Sequence, residues 1–121
     1  MVMEKETLQM VRKQFVFILN YAVDTLKKEY IESDDLVLFS SEVKRFRDWV
    51  QMQDIPDKLK FLLQEVNFSY TTTQKELADV SFLFFKRTIL NWFQQRSRVN
   101  SLKNFLNRYD YLLQKIDEYK L

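Results

Sequence analysis

The sequence predicts an all-α fold, a compact bundle of four to five mostly antiparallel helices forming one domain over residues 1–121, and three observations carry that expectation. The chain has no glycine. Tight hairpins and phosphate-cradling loops need glycine at positive φ, so a sheet protein or a Walker-type nucleotide site is hard to build from it, whereas a helix can end on Asn, Asp or Ser. Proline occurs once, at Pro56, so little interrupts a helical ladder. Apolar residues recur three and four positions apart along most of the chain, which is the helical period. Hydrophobic residues make up 46% of the chain, too many for disorder, and the length suits a single core.

The first helix is expected over 4–32, where Leu8, Val11, Phe15, Ile18, Ala22, Leu26 and Tyr30 form one stripe. Ser33-Asp34-Asp35 breaks the pattern and offers an N-cap with acid in the first turn. A second helix follows with Leu36, Phe39, Val43, Phe46 and Val50 inward and Lys44, Arg45, Arg47 and Asp48 outward. Pro56, within 54–57, marks the next boundary because proline fits the first turn of a helix and not its interior. The third helix is short and turns Leu59, Leu62, Leu63 and Val66 inward, and 67–72 reads as a polar loop.

Thr73-Gln74-Lys75-Glu76 is a capping box that opens a fourth helix over 74–95. Ala78, Phe82, Phe85, Ile89, Trp92 and Phe93 form its main stripe, while Leu77, Val80, Leu83, Phe84 and Leu90 lie elsewhere around it. A helix apolar on most sides is central, so Phe82, Phe85, Ile89 and Trp92 are expected to be buried. A break is expected over 96–100. A fifth helix then carries Val99, Leu102, Leu106, Tyr109, Leu113, Ile116 and Lys120 in heptad spacing, widened by Phe105, Leu112 and Tyr119. Without that break, the two helices would form one rod of roughly 70 Å, too long for a monomer to cover and a sign of a homo-oligomer.

Several kinds of chemistry are excluded by composition. The chain has neither cysteine nor histidine, so disulfides, thiol chemistry, ordinary zinc sites and histidine-based acid–base catalysis are absent. No cofactor is expected. Ser41-Glu42-Val43-Lys44 matches the S-x-x-K pattern of penicillin-recognising enzymes, but the accompanying Lys-Thr-Gly and Ser-Asp-Asn elements are missing. The pairs Asp34/Asp35, Asp54/Asp57, Glu76/Asp79 and Asp117/Glu118 sit near helix starts or the C-terminus, where acids cap helices and offset their dipoles. No apolar run reaches the ~20 residues of a membrane span; the densest, 80–85, ends at Lys86-Arg87. The most signal-like run, 15–23, follows Glu4 and Glu6, contains Asn20 and lacks a small-residue cleavage site, so the chain reads as cytoplasmic.

Charge is the one global signal. Residues 80–109 hold six of the nineteen basic residues, Lys86, Arg87, Arg96, Arg98, Lys103 and Arg108, and none of the seventeen acids. Asn91, Trp92, Gln94, Gln95, Asn100, Asn104 and Asn107 lie between them. Unpaired buried cations are costly, so Lys86, Arg87, Arg98, Lys103 and Arg108 are expected at the surface as one electropositive region around the turn between the fourth and fifth helices, either an ordinary solvated face or a contact for an anionic partner, nucleic acid or an acidic protein surface; Arg96 falls on the apolar stripe of the fourth helix if that helix continues so far, and is not counted among them. The overall pI of about 8.8 is only mildly basic. The sequence therefore reads first as a non-catalytic binding module or accessory subunit presenting a helical face to a protein partner. Contact with RNA or DNA through 80–109 is the alternative. An enzyme built on a carboxylate pair ranks third, and a membrane-surface helix over 82–98 last.

Overall fold

The computed structural model describes residues 2–68 and 87–119; the side chains of 2–4, 87–91 and 93 lie outside the description. Five helices are seen among the described residues: α1 (Val2–Leu26), α2 (Ser33–Gln51), α3 (Asp57–Gln64), α4 (Arg87–Tyr109) and α5 (Tyr111–Glu118). No strand occurs among the described residues. The all-α expectation holds. The capping box at 73–76, Phe82 and Phe85 fall outside the described residues, and so does the side chain of Ile89.

Three seams build the core, each advancing alternately by three and four residues. α1 contributes Leu8, Val11, Phe15, Ile18 and Ala22; α2 contributes Leu36, Phe39, Val43, Phe46 and Val50. The third seam, Arg98, Leu102, Phe105, Tyr109, Leu112 and Ile116, runs without a phase change from α4 into α5. A mean spacing of 3.5 residues keeps one stripe facing its neighbours along the whole length, as in left-handed bundles. Ring contacts fill the middle: Phe39 lies edge-on to Phe105 at 4.9 Å and to Phe68 at 4.8 Å, and Phe15 meets Phe46 at 5.7 Å.

The directions follow from long-range pairs. Phe15–Phe46 and Tyr21–Phe39 align α2 antiparallel to α1. Arg12 Nε to Asp117 Oδ1 at 2.8 Å ties the first half of α1 to the end of α5, and Arg98 of α4 reaches Ile31 just past the end of α1, so the α4–α5 unit also runs against α1. α3 braces this frame: Gln64 Nε2 donates to Arg47 O at 2.9 Å, and Tyr109 Oη donates to Glu65 O at 3.1 Å.

Five expectations need correction. α1 ends at Leu26 instead of continuing to 32, with Lys27 N–H shared between Val23 O and Asp24 O and Lys28 N–H reaching Thr25 O. Such tightened bonds satisfy the last carbonyls of a helix. The chain must reverse here for α2 to pack, so Tyr30 leaves the stripe and is exposed, while Ile31 turns inward and is 1% exposed. The N-cap of α2 is Glu32, one residue before Ser33; Asp35 Oδ2 accepts the Glu32 N–H at 2.9 Å.

The break expected over 96–100 does not form, since α4 passes straight through it. Ser101 Oγ donates back to Ser97 O at 2.9 Å, so its hydroxyl is satisfied within the helix. The interruption comes at Asp110, which keeps helical dihedrals (φ −61°, ψ −30°) and donates to Leu106 O at 2.9 Å. Phe105 and Leu112, expected as flanking residues, stand at the centre of the third seam, and Val99, Leu106 and Leu113 flank it. Trp92, expected in the core, is 53% exposed; it lies about 120° around α4 from the seam. No described helix is long and apolar enough to cross a membrane.

Candidate interaction surface

Of the six basic residues singled out by sequence, the four whose side chains are described do not all lie on one surface. Lys86 lies outside the described residues, and Arg87 opens α4 with its side chain outside the description. Arg96, Lys103 and Arg108 are exposed. Arg98 is not. It is 7% exposed and occupies the first seam position of α4, where its Nη1 donates to Ile31 O at 2.6 Å. The expectation of an exposed Arg98 is therefore overturned. The reason is nonlocal: a carbonyl 67 residues earlier supplies an acceptor, and a buried cation with a hydrogen-bonded partner is tolerable.

Arg98 belongs to a clamp on the α1–α2 turn. Gln95, one turn earlier on α4, accepts the Ile31 N–H on Oε1 at 2.8 Å and donates Nε2 to Ile31 O at 2.5 Å. Both polar groups of a buried backbone unit are thus satisfied by side chains. Beside them Lys28 Nζ reaches Asp35 Oδ1 at 2.6 Å. That hydrogen bond, with help from the Glu32 N–H and the charges of Lys28 and Arg98, holds the Asp35 carboxyl below its ordinary value of 3.8. The same hydrogen bond raises Lys28 above 10.5.

The outer face of α4 is different. Arg96, Lys103 and Arg108 form no ion pair among the described residues. The Arg96 guanidinium lies over the Trp92 ring, 5.3 Å from its centroid, and Arg108 lies 5.6 Å from the centroid of Tyr109. Asn100, Asn104 and Asn107 are exposed between them. Trp92 thus stands on the basic face.

A second surface was not anticipated from sequence. Along the rim between α1 and α2, Met10 and Phe17 are 47% and 46% exposed, and Leu38 and Met52 are 55% and 76% exposed. Arg45 covers Phe17 at 5.9 Å, and Phe17 meets Tyr21 edge-on at 6.0 Å. Met10 and the half-buried Trp49 line one depression with Thr7 and Gln53. Trp49 and Met52 line the next, with Ser41, Lys44, Arg45 and Asp48. The sequence signal was a second stripe beside the core one: Met10, Phe17 and Tyr21 sit seven and four residues apart on α1.

Among the described residues the catalytic candidates do not assemble. Ser41 Oγ donates to Val37 O at 3.0 Å within α2, and Lys44 points outward as a solvated cation. Asp35 and Asp117 are engaged by Lys28 and Arg12, and Glu118 pairs with Lys115 at 3.7 Å. Asp34, Asp54 and Asp57 are exposed at helix starts, and Glu76 and Asp79 lie outside the described residues. Among the described residues no group of three acidic side chains could hold a metal ion. No family model, curated protein or solved structure matches the chain.

Proposed function

We propose that this chain is a non-catalytic, cytoplasmic binding module that presents the α1–α2 rim to a protein partner. The observation that carries the reading is the placement of Met10, Phe17 and Met52, each about half exposed or more, around Trp49 and Arg45 on the rim between α1 and α2. Isolated exposed apolar residues are ordinary; a contiguous set crossing two helices marks an interaction site. Apolar surface is stabilised by roughly 25 cal/mol per Å² when removed from water, so a partner that covers this rim gains affinity without any change in the fold. Arg45 and Glu42, paired at 2.9 Å beside Phe17, supply a polar border of the kind that surrounds apolar contact centres. The groove between two antiparallel helices suits an amphipathic helix whose anchors recur at i, i+4 and i+7.

The test is capture from the native host with wild-type protein and with a Phe17→Glu/Met52→Glu variant, followed by reconstitution with the purified partner. The expected result is a salt-resistant complex whose affinity falls by at least tenfold in the variant while the melting temperature stays within a few degrees. Equal affinity for wild type and variant would remove the rim from the function.

A further inference from the structure

We propose that the cleft between α2 and the exit of α3 binds the phosphoryl group of a small ligand, at a site separate from the α1–α2 rim. On α2, Ser40, Lys44 and Arg47 follow one another by four and three residues, so they share one face of the helix. Gln64, the last residue of α3, and Asn67 just beyond it line the same cleft, whose volume is about 350 Å³. That is the size of a site for a small molecule. Its walls are pinned together. Gln64 Nε2 donates to Arg47 O at 2.9 Å, and Ser40 Oγ donates to Phe68 O at 3.3 Å. The buried Phe68 ring is in turn held edge-on by Phe39 at 4.8 Å and by Phe105 at 5.9 Å. The cleft therefore keeps its shape through contacts that need no ligand, which lowers the ordering cost of binding.

Arg47 carries the argument. Its Nε is buried and has no hydrogen-bond partner, the one side-chain atom in that position among the described residues. Neither Arg47 nor the exposed Lys44 forms an ion pair among the described residues. A buried donor left unmet destabilises a fold, and native proteins satisfy nearly all of them. Arg47 lines the cleft, so an acceptor that enters there completes its hydrogen bonds. A guanidinium fork matches the oxygens of phosphate or carboxylate in pairs, whereas an ammonium acts as a point charge. Charge and donor count favour phosphate. Two cations, Lys44 and Arg47, stand in the cleft against one acid, Asp48. A phosphate monoester brings a charge of about −1.5 to −2 and three acceptor oxygens. Lys44, Arg47 and the Asn67 amide supply a donor side chain for each oxygen. A carboxylate has two oxygens and a single charge, and would leave one of those donors idle. Asp48 can accept from a hydroxyl carried beside the phosphoryl group.

Isothermal titration calorimetry of the full chain is the measurement, at one fixed low ionic strength, with inorganic phosphate, ribose 5-phosphate, ribose and acetate as probes. Both phosphates should bind and compete for one site, while ribose and acetate bind at least tenfold more weakly. Ribose 5-phosphate at least tenfold tighter than inorganic phosphate identifies an ester as the ligand, and a smaller difference identifies free phosphate. Lys44 and Asp48 also line a rim depression, so the variants are placed at Arg47 and Asn67. Arg47→Lys keeps the charge and removes the fork. It should weaken phosphate binding roughly 10- to 150-fold, the range for one charge-assisted hydrogen bond. Asn67→Ala should weaken it about 2- to 12-fold, as for a neutral hydrogen bond. Lys103→Ala on α4 should bind like wild type, which separates the site from general charge. Circular dichroism and melting curves check that each variant is folded, and Arg47→Gln replaces an Arg47→Lys chain that is not. Three results would overturn the proposal: neither phosphate binds, acetate binds as tightly as phosphate, or the Arg47 variant binds phosphate like wild type. The Phe17→Glu/Met52→Glu variant should bind phosphate normally, so failure of this site is distinguishable from failure of the rim.

Discussion

Arg96 and Arg98 stand two residues apart on α4, yet they belong to different regions of the molecule. About 200° of helix rotation separates them. On the inner seam, Arg98 is buried and donates Nη1 to the Ile31 carbonyl. On the outer ridge, Arg96 is solvated and rests on Trp92. The contrast teaches that residue type fixed neither fate. The phase of the seam did: Leu102, Phe105 and Tyr109 must face α1 and α2, and the seam extended back by one turn reaches Arg98, not Arg96. An arginine caught on that line folds inward only because a backbone acceptor waits for it.

The largest effect that would break the contrast is expected at Phe105, which is 3% exposed and touches Phe39, Phe68 and Tyr109. Phe105→Ala should cost about 3–5 kcal/mol in urea denaturation, the usual range for a truncated core aromatic. A loss below about 1 kcal/mol would mean that the seam is not the core.

Next comes the arginine pair itself. Arg98→Ala should cost about 1.5–3 kcal/mol, because it deletes a charged hydrogen bond and its buried stem. Arg96→Ala should stay within about 0.5 kcal/mol, as for other surface changes. Equal losses from the two, again by urea denaturation, would erase the distinction between seam and ridge.

The smallest effect concerns pH. The Asp35 carboxyl titrates below its unfolded value of 3.8, so the folded state binds its proton less readily than the unfolded state. Its contribution to stability is therefore complete above the unfolded value and is lost as pH falls through the lower, folded one. Asp35→Asn should flatten that part of the acid limb, measured as melting temperature between about pH 5 and 2. An unchanged limb would show that the Lys28–Asp35 bond does little for the turn.

α2 was legible to the residue: Leu36, Phe39, Val43, Phe46 and Val50 are the stripe read from sequence and the stripe found in the core. The C-terminal seam was harder, because two apolar lines overlap there. One runs through 99, 102, 106, 109, 113 and 116 and the other through 98, 102, 105, 109, 112 and 116, sharing three members. The second line begins on a cation, and local reasoning sends a cation to water. The uninterrupted passage through 96–100 was obscured by polar composition, although Ser, Asn and Gln persist in a helix when they face solvent or bond back to it. The partners of Gln95 and Arg98 lie 64 and 67 residues away, and nothing near them in sequence foretells that pairing. Of the candidate site, the exposed cations were legible. The rim across α1 and α2 was not, since it exists only once two separate stripes are brought side by side.

The hold of Gln95 on Ile31 also has a kinetic meaning. An amide in an exposed turn ordinarily exchanges its proton with water through small local openings. The Ile31 amide sits in such a turn but donates across 64 residues to a helix from the other half of the chain. The α1–α2 hairpin closes a short loop and forms on local contacts, whereas α4 must first close a long one, which is entropically slower. Deuterium labelling at Ile31 during refolding therefore times the arrival of α4 on a hairpin that has already formed.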